Sequence, residues 1–108
     1  SRICGSRVTL DVNFKEGAIS GFGQEVKACA LGQASCAIVG KNIMGQTLES
    51  FEPIRDAMER MLKDVGPAPE GCWKELEIFL PAQEHKSRHT SIMLPFEAVL
   101  EALKENKA

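Results

Sequence analysis

The fold is decided by residues 7–28, which read RVTLDVNFKEGAISGFGQEVKA. Every second residue from position 8 to 14 is apolar, and this period of two is typical of a half-buried β-strand. The glycine-containing triplet 15–17 predicts a hairpin turn. Residues 18–28 predict a second strand, antiparallel to the first, with a bulge or bend at Gly21 and Gly23 because glycine inside a strand marks such irregularities.

Helical patterning replaces the strand patterning after Cys29, as apolar residues recur at spacings of three and four. The first predicted helix covers 32–44 and is ended by Gly45, and the second starts at the N-cap Thr47 and ends before a loop over 65–69. A short helix over 70–80, ended by Pro81, is then predicted. A polar exposed connection over 82–88 leads to the last predicted helix, over 90–106. Strands followed by helices predict an α+β fold, in which a small antiparallel sheet of two to three strands carries helices on one face.

Composition excludes several classes of protein. A chain of 108 residues with 44% hydrophobic and 26% charged residues has ordinary globular values and the length of one domain. The formal net charge of −2 disfavours nucleic acid as a partner, since phosphate binding needs a large basic patch. A membrane partner is not expected either, because no stretch approaches the roughly 20 apolar residues of a membrane span.

The four cysteines, Cys4, Cys29, Cys36 and Cys72, are an unusual supply of reactive side chains. They are compatible with disulfides, with buried free thiols, or with metal or sulfur chemistry. No CxxC pair is present, so the zinc-ribbon and thioredoxin signatures are missing. No signal peptide is visible, which favours free thiols and a cytoplasmic location.

Three short segments follow one another at characteristic intervals. They are CGSRV at 4–8 before the alternating strand, CALGQAS at 29–35 before a small-residue helix, and GQTLE at 45–49. In this order and spacing they resemble the U-type iron–sulfur cluster scaffold proteins, the group of IscU, SufU and the N-terminal part of NifU. The resemblance implies a SufE/NifU-like fold and a single NifU N-terminal-like domain over 1–108, without the family's N-terminal helix and first strand.

The resemblance implies a scaffold and not an enzyme. A cysteine desulfurase would deliver sulfur, a transient [2Fe–2S] cluster would be built, and acceptor proteins would receive it. The family's three cysteines and one Asp or His imply Cys4, Cys29 and His89 as the metal ligands here, and thiolates bind iron strongly. The chain is expected to be a monomer or a weak homodimer.

Two positions depart from the family pattern. Ser6 stands where the family has Asp, and Thr90 stands where the family's third cysteine opens the last helix. A threonine hydroxyl stays protonated at neutral pH and is a poor ligand for iron or zinc. Cys36 and Cys72 are possible additional ligands, although packing is favoured for both, and two cysteines with one histidine would also suit zinc with a water in the fourth place.

An alternative function stays open beside the scaffold. The chain could be a degenerate member of the family that binds no cofactor and acts as a protein-interaction or regulatory module. A free-standing enzyme with a cysteine nucleophile ranks last, because the sequence shows no base and no orienting carboxylate for it.

Overall fold

The computed structural model describes residues 2–3, 6–27, 30–64, 66, 69, 71–84 and 86–107. Its elements in chain order are β1 (Arg2–Ile3), β2 (Ser6–Lys15), β3 (Ala18–Lys27), α1 (Ala30–Asn42), α2 (Leu48–Lys63), a 3₁₀ helix (Gly71–Glu84) and α3 (Lys86–Lys107). The strands form one antiparallel sheet in the order β1–β2–β3. The predicted α+β class is therefore confirmed, with three strands in the sheet.

The hairpin of β2 and β3 forms as its sequence predicts. Glu16 and Gly17 make the turn with φ values of 53° and 83°, the left-handed conformation that a two-residue hairpin loop requires. The register shifts by one residue, since Asn13 pairs with Gly21 whereas Phe14 pairs with Ile19. The expected bulge thus lies beside Gly21, where a Cβ would stand 2.9 Å from Nδ2 of Asn13.

Helix α1 covers β3 and packs against α3. It begins at Ala30 and ends at Asn42, two residues earlier at each end than the predicted 32–44. A buried hydroxyl ties it to α3, because Oγ of Ser35 donates to the carbonyl oxygen of Ile92 at 2.6 Å. The Nε2 atom of Gln24 on β3 donates to the carbonyl oxygen of Cys36 at 2.8 Å, which joins sheet and helix.

Two backbone hydrogen bonds tie the connection between α1 and α2 to β3. The amide of Gly45 donates to the carbonyl oxygen of Ile19 at 2.8 Å, and the amide of Ile19 donates to the carbonyl oxygen of Gln46 at 2.9 Å. The predicted N-cap is confirmed: Thr47 and Ser50 form a reciprocal capping box that satisfies amides at the start of α2.

The predicted short helix over 70–80 is present, but its predicted end at Pro81 is wrong. The segment is a 3₁₀ helix that runs through Pro81 to Glu84. Its buried residues recur at every third position, which is the period of a 3₁₀ helix, and they are Trp73, Leu76, Phe79 and Ala82. Pro81 fits because its fixed φ lies within the 3₁₀ range.

The polar connection predicted over 82–88 is also wrong for most of its length. Residues 82–84 belong to the 3₁₀ helix, and α3 begins at Lys86, four residues before the predicted start. The first turn of α3 exposes Lys86, Ser87 and Arg88, so no apolar spacing marks it as helical. Pro95 consequently lies near the middle of α3.

Three aromatic rings form the centre of the core. Phe51 lies 5.9 Å from Trp73, edge to face, and 6.1 Å from Phe96, stacked, as measured between ring centroids. These rings come from α2, the 3₁₀ helix and α3, and all three are buried. The core thus lies mainly among the helices, with Leu10, Val12, Phe14 and Phe22 of the sheet packed against it.

Candidate functional site

The described residues that flank the first two predicted ligands lie at one end of the sheet. Cys4 and Cys29 themselves lie outside the described residues. Ile3 and Ser6, which flank the first segment, pair with each other, and the neighbouring Arg7 pairs with Lys27. Cys29 follows Lys27 by two positions. The sheet therefore brings the described residues beside both cysteines to its end opposite the hairpin turn.

Helix α3 runs alongside β2 in the same direction. Leu94 packs with Leu10 of β2 and Val26 of β3, and Asn106 lies beside the hairpin turn at Gly17. His89 precedes Leu94 by five residues, or about 7.5 Å along the helix axis. The turn of α3 that carries His89 is consequently level with the cysteine-bearing end of the sheet.

The His89 ring is buried and held by a backbone carbonyl. Its exposure is 7%, and its Nε2 atom lies 2.9 Å from the carbonyl oxygen of Ala82. A carbonyl oxygen can only accept, so Nε2 carries the proton and donates it. The lone pair of Nδ1 is then the one available to a metal, and a backbone carbonyl is a common partner for the far nitrogen of a ligating histidine.

Thr90 is exposed and lines a cleft between α2 and α3. The cleft has a volume of about 240 Å³ and is lined by Arg55, Glu59, Lys63, His89, Thr90, Met93 and Glu97. Among the described residues, no three His, Cys, Asp or Glu side chains are grouped so that they could hold a metal ion.

An ion-pair network forms one wall of this cleft. Arg55 bonds to Glu97 on α3 and pairs with Asp56 and Glu59 on its own helix, and these contacts raise the pKa of its guanidinium. Lys63 donates to Oε1 of Glu59 at 3.0 Å, and this hydrogen bond is the main reason why the pKa of Glu59 is lowered.

We expect Glu59→Gln to lower the free energy of unfolding at pH 7 by up to about 1 kcal/mol, the range of partly exposed ion pairs. Because the folded state lowers the pKa of Glu59, its contribution is present above the unfolded-state pKa near 4.5 and disappears as the pH falls through the folded-state value. Urea titrations of both proteins across this pH range measure the difference. Glu77→Gln, at an exposed position, is the control. A difference that stays constant with pH would assign the effect to packing.

The remaining predicted site residues are spread over the fold. Cys36 is 2% exposed and packs against Leu94, and burial raises the pKa of its thiol to about 11, as is typical of a core thiol. Cys72 belongs to the 3₁₀ helix and Ser6 begins β2, but their side chains lie outside what the structure describes.

The charged cleft is not among the sites predicted from the sequence. Charged residues on a helix usually face water, yet the side chains of Arg55 and Glu59 are partly buried, and Arg55 pairs with Glu97 of α3. The spacing of four with alternating sign in Arg55, Glu59 and Lys63 was the available signal, since such residues form ion pairs along one helix face. The partner Glu97 on α3 carries no sequence signal of its own.

Comparison with known proteins identifies the family. The crystal structure of a nitrogen-fixing NifU-like protein (N-terminal) from Brucella abortus is 45% identical, with a TM-score of 0.91 over 97% of this chain and 74% of that chain. The chain belongs to the IscU/NifU-type scaffold family. No family model matches it.

Two further members of this scaffold group are more distant. The iron–sulfur cluster assembly scaffold protein IscU of Thermotoga maritima is 24% identical over 102 residues, which are 94% of this chain and 71% of that protein. The putative scaffold protein for the SUF system from Fervidobacterium islandicum shares the fold, with 24% identity and a TM-score of 0.76 over 87% of this chain and 68% of that chain. None of the helices in the described part of the chain has the length and apolarity to span a membrane.

Proposed function

We propose that the chain is an assembly scaffold for iron–sulfur clusters, in which Cys4, Cys29 and His89 hold the cargo. The observation that carries the proposal is the 45% identical NifU-like structure, which matches 97% of the chain. The relatives from Thermotoga maritima and Fervidobacterium islandicum are named as scaffold proteins. The proposal treats residues 1–108 as one domain of this type, and it describes a binding protein, not an enzyme.

The described structure supports this ligand set in two ways. The residues that flank both cysteines lie at one end of the sheet, level with the turn of α3 that carries His89. The hydrogen bond from Nε2 of His89 to Ala82 leaves Nδ1 as the metal-binding atom. Two thiolates and one imidazole suit iron, and the same set would take zinc with a water as fourth ligand.

Sulfur would enter by transfer from a cysteine desulfurase. The thiolate of Cys29 or Cys4 attacks the terminal sulfur of the desulfurase persulfide, a new S–S bond forms, and the desulfurase thiolate leaves with the electron pair. Two equivalents of a small thiol then reduce this persulfide: its S–S bond breaks, the outer sulfur leaves as sulfide, and the two thiols become a disulfide. Iron would collect with the sulfide between the thiolates and His89, and an acceptor protein would take the product. The proposal places the chain in a reducing compartment such as the cytoplasm, because the ligand thiols must stay reduced.

Anaerobic reconstitution tests the proposal. With ferrous iron, cysteine and a cysteine desulfurase, we expect the chain to acquire iron and acid-labile sulfide, and Cys4→Ser or Cys29→Ser to retain less than about a tenth of both. Cys36→Ala is the matched control and should load like the original chain, since Cys36 lies in the core. Metal analysis and visible absorption measure loading.

Two results of this reconstitution would contradict the proposal. A folded chain that takes up neither iron, zinc nor persulfide sulfur would refute the scaffold role and favour the non-metal interaction module. Loading that survives Cys29→Ser and falls with Cys36→Ala would refute the proposed ligand set.

A further inference from the structure

One polar side chain ties the end of the 3₁₀ helix to the end of α2. The Nε2 atom of Gln83 donates to the carbonyl oxygen of Met61 at 2.8 Å and to the carbonyl oxygen of Gly66 at 3.3 Å. Both partners are carbonyl oxygens, which only accept, so the nitrogen of the side-chain amide must face them. The half-buried Gln83 thus joins its own helix to a part of the chain about twenty residues earlier.

Part of this arrangement serves α2. The carbonyl groups in the last turn of an α-helix have no amide partner within the helix. Met61 lies in the last turn of α2, and Gln83 supplies the donor that its carbonyl group needs. The carbonyl group of Arg60 instead accepts from the amides of Asp64 and Gly66. Capping of α2 is therefore one role of Gln83.

Gln83 also shares a peptide group with the carbonyl that holds the His89 ring. The carbonyl group of Ala82, the amide nitrogen of Gln83 and the Cα atoms of both residues lie in one plane. Nε2 of His89 donates to this carbonyl oxygen at 2.9 Å. At one end of the plane the side chain of Ala82 is buried, and at the other end the side chain of Gln83 is bonded to α2. The direction of the carbonyl oxygen is therefore fixed from both sides.

We propose that Gln83 is a positioning residue for His89, because it fixes the Ala82 carbonyl group and thereby the imidazole ring, with Nδ1 left for the metal. This inference rests on the proposed function, in which His89 is a ligand. A ring that is already oriented loses less freedom when its metal binds, which strengthens binding. Residues that orient a ligating histidine through its far nitrogen typically contribute about 10-fold to 100-fold to metal affinity.

The ring proton of His89 tests the positioning without any metal. Nitrogen-15 NMR of the full chain at about pH 8.5, where an imidazole is neutral, shows which ring nitrogen carries the proton and how fast it exchanges with water. We expect the proton on Nε2, and an exchange about tenfold faster in Gln83→Met, which removes both donated bonds. Gln83→Glu has nearly the same shape and no donor, so it is the second variant and should act alike.

Gln24→Met is the matched control for Gln83→Met. Gln24 likewise donates from Nε2 to a helix carbonyl oxygen, that of Cys36 at 2.8 Å, but it joins β3 to α1. Its replacement therefore removes a hydrogen bond of the same kind and should change the exchange of the His89 proton by less than about twofold.

Zinc affinity tests whether Gln83 acts through the ring. Titration of the full chain with Zn²⁺ against a chromophoric chelator measures the affinity. We expect Gln83→Met to weaken zinc binding about tenfold, and to change it by less than about twofold when His89→Ala is already present. A residue that only caps α2 would have the same effect with and without the His89 ring.

Several results would overturn the role of Gln83. They are a proton on Nδ1 in the original chain, an exchange rate that Gln83→Met leaves unchanged, and equal acceleration by Gln24→Met. An equal loss of zinc affinity with and without His89 would do the same. A chain that binds no zinc in any form would instead count against the scaffold proposal, since the exchange measurement needs no metal and still decides whether Gln83 holds the ring.

Discussion

Replacing Phe51 by alanine is expected to lower the free energy of unfolding by about 4 kcal/mol, the cost of removing a buried aromatic ring and leaving a cavity. Phe51 is fully buried and contacts both Trp73 and Phe96, so its loss removes the contact shared by α2, the 3₁₀ helix and α3. A small domain is stable by only about 5–15 kcal/mol, so this one change removes a large fraction of the total. Urea unfolding followed by the fluorescence of Trp73, the single tryptophan, measures it.

Ile78→Ala is the matched control for that prediction. Ile78 lies on the 3₁₀ helix with 57% of its surface exposed, so its truncation should cost less than about 0.5 kcal/mol. If Phe51→Ala leaves no folded protein, Phe51→Leu should still fold with a loss of about 1–2 kcal/mol. A loss below 1 kcal/mol for Phe51→Ala would contradict the described core.

Replacing Thr90 by cysteine is expected to slow the loss of a reconstituted cluster to a chelator by about 100-fold. The reason is the addition of a thiolate at the position where the family resemblance places the third cysteine, next to His89. Thr90 is exposed, so the change should alter the free energy of unfolding by less than about 0.5 kcal/mol. The decay of visible absorption after addition of a strong iron chelator gives the rate.

Ser91→Cys supplies the control for the added thiol. It places the same group one residue later, about 100° around the axis of α3, and should leave the rate of cluster loss unchanged within about threefold. Equal retention by both variants would show that an extra thiol acts without regard to position. If Thr90→Cys does not slow the loss of the cluster, the third position of the family pattern is not part of the proposed site.

The elements that local chemistry specifies were predictable from the sequence. Alternation over residues 8–14 gave the first strand, and Gly17 and Gly21 marked the turn and the bulge. The capping box at Thr47 is equally local, because it needs only two side chains three residues apart.

A short helix was predicted over 70–80, but its 3₁₀ type and its end were not. Trp73, Leu76, Phe79 and Ala82 are spaced by three, but the apolar Ile78 and Leu80 between them obscured this period, and Pro81 suggested the end of the helix. Spacing, and not apolar content, distinguishes the two helix types.

The surroundings of the site could not be predicted for a different reason. The bond between His89 and Ala82 and the pair of Arg55 with Glu97 join residues on different elements. They depend on how α3 packs against the 3₁₀ helix and α2, which no short sequence window contains. The family resemblance pointed to His89 as a ligand and to Thr90 as the residue in place of the third cysteine. It did not show that His89 is buried and that Thr90 is exposed.

The two backbone hydrogen bonds between Ile19 and the 45–46 connection bear on self-association. The open side of an outer strand offers unpaired amides and carbonyls to a second chain, and this is a common route to aggregation. At Ile19 the connection already uses the amide and the carbonyl that face away from β2. Towards its other end β3 carries exposed Glu25 and Lys27, and such charges discourage the pairing of an edge strand with a strand of another molecule. Loosening the connection at Gly45 would therefore first show itself as oligomers that form through β3.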